Sequence, residues 1–135
     1  LGAAVGLGLS LDAIRSGLRH VRAGARHFRL GGCQVLVDRP RDRAGAEACL
    51  RTASELPAER RRVMLGLQGT GLDELAGLVG IEVVPAAPRE LRGVLSESAP
   101  GDLLLVLLDG EERSPEPYLS DLEARGWAPG APLPR

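Results

Sequence analysis

The 135-residue sequence contains no lysine and no asparagine; its 17 basic residues are all arginine, set against 18 acidic ones. Without lysine the chain can form no lysine Schiff base, no carbamylated lysine and no Walker-type phosphate loop, which needs a lysine at its end. Aromatic residues make up 2% of the chain, as Phe28, Tyr118 and Trp127. That scarcity weakens base stacking as a binding mode and leaves the core to Leu, Val and Ala. Trp127 and Tyr118 are expected to anchor the last segment to the sheet. A net charge of -1 argues against a dedicated nucleic-acid binder, which normally carries a clear positive excess.

Cysteine is scarce as well. Cys33 and Cys49 have neither metal-ligand spacing nor the density of a disulfide scaffold and read as buried free thiols. His20 and His27 lie seven residues apart without a nearby cysteine or second carboxylate at ligand spacing, which argues against a transition-metal site. The apolar opening Leu1 to Leu9 lacks a basic leader and falls far short of the roughly 20 residues that span a bilayer, so no membrane association is expected. The sequence does not begin with Met, which suggests a fragment or a processed product.

The remainder has a regular beat. Ser10 can cap a helix from Leu11 to about Arg22, in which Leu11, Ile14, Leu18 and Val21 recur at helical spacing. From Ala23 to Gly32 the period is lost and Arg22, Arg26, His27 and Arg29 surround Phe28, a pattern that reads as a basic connector. Strands are expected at Cys33 to Val37, Val63 to Leu65, Ile81 to Val84 and Leu103 to Leu108. Helices are expected over about 44–54, 72–79, 90–98 and 117–125, with the run Glu59 to Arg62 as a charged separator and Trp127 to Arg135 as a frayed or edge segment. Six consecutive aliphatics at Leu103 to Leu108 suit a central strand covered on both faces. The expected fold is α/β: a three-layer, Rossmann-like domain with a mainly parallel sheet of four to six strands.

Asp38 ends the first of these strands, the position from which a parallel sheet presents side chains to the ligand crevice; capping of its own loop is the alternative. Arg39, Arg41 and Arg43 can meet phosphate or an acidic partner through planar donors, partly offset by Asp42, or can form a solvated face. The run Gly66-Leu67-Gln68-Gly69-Thr70-Gly71 exposes backbone donors before a helix. Its spacing departs from the dinucleotide fingerprint and fits tight turns equally well.

The order of these pieces resembles the C-terminal domain of the Mur ligase superfamily, the ATP-dependent amide-forming enzymes that include the muropeptide ligases, folylpolyglutamate synthase and the C-terminal part of cyanophycin synthetase. The resemblance runs over roughly residues 5 to 110. Gly8 to Leu18 is similar to the segment joining the central and C-terminal domains, Gly32 to Asp38 to the first strand, Arg62 to Gly66 to the second strand and its glycine, and Pro100-Gly101-Asp102-Leu103 to a late strand of the family. It implies that residues 1–24 end a central-domain helix and linker and that 25–135 form the C-terminal domain. It also implies a cytoplasmic protein of cell-wall biogenesis that uses ATP and Mg2+, with the upstream ATP-binding domain as partner and a homo-oligomer or protein partner as a further option.

By the same resemblance, Asp38 and either Arg26 or His27 contact nucleotide, while Arg41, Asp42, Gly66 and Gly69 border the site of the second substrate. The family's Tyr-Ala-His-Asn-Pro after the strand-end Asp is here Arg39-Pro40-Arg41-Asp42-Arg43. Arg41 and Asp42 thus stand where His and Asn are expected. Two functions follow: a ligase domain that contributes binding groups but is inactive alone, or a non-catalytic interaction or scaffold domain.

Overall fold

The computed structural model describes residues 26–66, 71–84, 90–109 and 114–134. The helix expected at Leu11 to Arg22 and the division at residues 24 and 25 lie outside these residues. Among the described residues five strands form one sheet: β1 (Arg26–Leu30), β2 (Cys33–Asp38), β3 (Arg60–Leu65), β4 (Glu82–Val84) and β5 (Asp102–Leu107), in the order β1-β2-β5-β3-β4. All neighbours are parallel except β1 and β2. The helices among the described residues alternate with them: α1 (Arg43–Glu55), α2 (Leu72–Leu78), α3 (Glu90–Ser96) and α4 (Glu116–Ala124). The expected three-layer α/β architecture with a mainly parallel sheet is therefore present.

β5 is the strand of consecutive aliphatics and is buried along its whole length. Alternation divides it between two cores. Leu103, Leu105 and Leu107 pack with Leu36 and Val63 beneath Ala46, Leu50 and Ala53 of α1 and Leu72 and Ala76 of α2. Leu104 and Val106 pack with Val35, Val37 and Met64 beneath Leu95 of α3 and Leu119 and Leu122 of α4. The helices after β2 and β3 thus lie on one face and those after β4 and β5 on the other. Right-handed crossovers require this of α3, because the direction of travel across the sheet reverses at β4, and α4 packs on the same face. Both cysteines are buried thiols, and burial raises the Cys33 thiol pKa. Among the described residues no helix is long and apolar enough to cross a membrane.

Three expectations need correction. Residues 26–30 are a strand rather than a connector: Phe28 and Leu30 are buried while Arg26 and Arg29 are exposed, so the lost helical period was a strand period of two. β1 reaches β2 through Gly31 and Gly32, whose φ of 55° and 94° are the left-handed conformations of a two-residue hairpin turn. Nor does the segment after α4 fray: Trp127 is buried and donates through Nε1 to the Ala131 carbonyl at 3.1 Å, and Tyr118 donates to the Pro134 carbonyl at 3.3 Å. Those two aromatics do anchor the segment, as their positions suggested.

The third correction concerns the charged separator, because β3 begins at Arg60 and Arg62 lies inside the core at 2% exposure. Its guanidinium stands 3.5 Å from the Asp102 carboxylate and donates to the Ser98 hydroxyl and the Val94 carbonyl. Asp102 also accepts from Arg60 at 2.9 Å and from the Ala99 amide at 3.0 Å. This cluster joins the starts of β3 and β5 to the end of α3. Removing one member of a buried pair strands its partner's charge. Arg62→Ala is expected to cost about 3 kcal/mol, read as a lowered urea midpoint; an unchanged midpoint would show that the cluster holds nothing.

Candidate functional site at the carboxyl edge of the sheet

The chain leaves β2 for α1 on one face and leaves β5 for α4 on the other, so the carboxyl ends of β2 and β5 form the topological switch point where open α/β sheets accept ligands. Pairing continues one step beyond the strands there. The Leu108 amide donates to the Asp38 carbonyl at 3.0 Å and the Gly66 amide to the Leu107 carbonyl at 2.7 Å. These bonds fix the starts of the loops at the edge.

Asp38 stands at this point, but its carboxylate turns inward and is 1% exposed. Oδ1 accepts the Arg39 amide at 2.7 Å, and Oδ2 accepts the thiol of Cys49 in α1 at 3.1 Å. The side chain therefore ties the strand end to the first helix and orders the backbone at Arg39. Asp42 is the N-cap of α1, accepting from the Gly45 amide at 2.8 Å. Arg41 is exposed beside it. Arg43 pairs with Glu47 at 3.1 Å and reaches the start of α2, where a Cβ on Gly71 would lie 3.5 Å from its Nη2. Gly69 lies outside the described residues, so of the glycine run the structure locates Gly66 and Gly71.

Arg26 and His27, alternatives for one role, point to opposite faces of β1. Arg26 lies over the Phe28 ring, 5.5 Å from its centroid, and reaches Glu116 at 3.5 Å. His27 faces the α1 side and hydrogen-bonds Gln34. Burial lowers the His27 pKa, with Arg29 adding to the effect; the ring is thus poorly suited to be a cation for phosphate at neutral pH. The arginine that completes the edge is Arg39, whose Nη1 meets Glu116 Oε1 at 2.6 Å. Its place directly after a strand-end Asp was a usable signal. Glu116, 90 residues from Arg26 in sequence, carried none. Among the described residues no group of three or more His, Cys, Asp or Glu is arranged to hold a metal ion.

No family model and no curated protein matches the sequence. A solved structure described as UDP-N-acetylmuramoyl-L-alanyl-D-glutamate--2,6-diaminopimelate ligase is similar to this chain over 64% of its residues, at 10% identity and a TM-score of 0.48. The match covers 26% of that enzyme's chain, about a quarter of its length. It is a distant structural resemblance to a Mur-ligase-family enzyme.

Asp42 tests the separation of structural from binding roles. Asp42→Ala should lower stability by about 1 kcal/mol through loss of the cap, and Asp42→Ser should recover most of it. Thermal denaturation of the two variants checks this; equal losses would remove the cap as the cause.

Proposed function

We propose that this chain is the C-terminal domain of an ATP-dependent, amide-forming ligase of Mur type, supplying binding groups for nucleotide and amine substrate without catalysing alone. The observation that carries the reading is the convergence of Arg26 and Arg39 at the switch point, beside the loop that Asp38 orders. Guanidinium groups there suit the oxygens of a phosphate chain, which they bind through paired planar donors. Support for the ligase class comes from the ordered sequence resemblance over residues 5 to 110.

In such an enzyme ATP activates a carboxylate as an acyl phosphate, which an amine then attacks. Arg26 and Arg39 take the phosphate side. Asp38 acts as a positioning residue, holding the Arg39 backbone through its carboxylate rather than meeting the ribose with a free oxygen. Arg41 and the Gly66 loop border the amine side, and closure onto an upstream ATP-bearing domain excludes water from the reactive intermediate. By the same resemblance the residues that would hold Mg2+ belong to an upstream domain, and the ion would supply neutralisation of the phosphate charge.

A second reading is a non-catalytic interaction or scaffold domain. The engagement of Asp38 by Arg39 and Cys49 favours it, because a carboxylate facing the core is not presented to a ligand. Calorimetric titration of the intact protein with ATP and magnesium separates the two. The ligase reading expects saturable heat at or below millimolar ATP and roughly tenfold weaker binding in Arg39→Ala. Absence of heat at millimolar ATP sinks it in favour of the scaffold.

A further inference from the structure

Arg26 begins β1 and Arg39 follows β2, yet both side chains end on one carboxylate, that of Glu116. The carboxylate is split between them: Oε1 takes Arg39 Nη1 at 2.6 Å and Oε2 takes Arg26 Nη1 at 3.5 Å. Glu116 is also the first residue of the nine-residue helix α4, so the positive end of the helix dipole reaches the same place. Two guanidinium groups meeting on the separate oxygens of one anion is an arrangement that also holds phosphate. The carboxylate side chain is 20% exposed, against 26% for Arg39 and 58% for Arg26. It therefore has an outlet to solvent, and the arginines can be approached from outside.

We propose that Glu116 is an internal anion plug, whose carboxylate fills an oxyanion site formed by Arg39 and Arg26 and is displaced when a phosphate-bearing ligand binds. The ligand's identity as a nucleotide rests on the reading above; the plug itself requires only a phosphate group. A diphosphate brings more charge than a single carboxylate and two or more oxygens for the same donors, so it competes for the arginines while Glu116 swings to solvent. Until then only the unplugged fraction of the protein is competent, and the apparent affinity is reduced by that fraction. Occupancy of the carboxyl edge is in this way regulated from α4, on the face of the sheet opposite α1.

The test is calorimetric titration of the full chain with inorganic pyrophosphate, and separately with ATP and magnesium, at low ionic strength. Glu116→Gln keeps the side chain's size and removes its charge, and is expected to bind pyrophosphate roughly tenfold more tightly than the wild type. Adding Arg39→Gln should abolish the gain, and Glu116→Ala should repeat it. Melting curves establish that each variant is folded. If Glu116→Gln binds pyrophosphate no better than the wild type, the plug is overturned. If ATP binds both equally well, the nucleotide reading survives that loss. A gain for pyrophosphate with ATP bound by neither protein supports the plug and removes the nucleotide reading, and no binding of either ligand by any form overturns both.

Discussion

The placement of β5 between β2 and β3 is the constraint on which the rest depends. Its six residues are buried along their length, and strand backbone so enclosed must pair on both edges because no water can replace a missing partner. β5 is the last of the described strands in sequence, so the chain travels outward through β3 and β4 and then returns. That return moves α3 and α4 to the face opposite α1 and α2. The switch point between β2 and β5 is the geometric result, and it brings Asp38, Arg39 and Glu116 together although Glu116 is 77 residues from Arg39.

The two ends of the sheet use charge differently. At the amino end Arg62 and Asp102 are buried, with Arg60, Ser98 and the Ala99 amide satisfying most of their groups. Such a cluster contributes mainly by holding elements in register, since burying the ions offsets much of their attraction. At the carboxyl end Arg26 and Arg39 retain exposed surface, while Asp38, which accepts the Arg39 amide, is buried. Buried, paired charge is concentrated at one end and partly exposed arginine at the other, which is the division expected when ligands approach from the carboxyl side.

Much of the fold was legible because its elements carry strong local patterns. The run of six aliphatics at Leu103 to Leu108 identifies β5 without tertiary knowledge. β1 was missed because three of its five residues are Arg or His, which hid the alternation of Phe28 and Leu30; the Gly31-Gly32 hairpin turn was the better signal. Arg60 to Arg62 looked like a surface run because Arg62 is compatible with the core only through Asp102 and Ser98, some 36 to 40 residues away. The site was legible in the same uneven way. The strand-end position of Asp38, and the pair Arg26 or His27 as alternatives for one role, could be picked out from order and spacing, but the inward turn of Asp38 depends on Cys49, and the convergence of two arginines on Glu116 exists only once the sheet is assembled.

The central claim is that ligand binding belongs to the carboxyl edge between β2 and β5. Amide chemical-shift mapping of the protein during titration with ATP and magnesium tests it most directly. The account predicts perturbations concentrated at residues 38–43, at 108 and 109, and at 114–117, with the amino-edge amides around Arg60 and Asp102 unmoved. Perturbations centred on that amino edge, or no perturbation at saturating ATP, would contradict it.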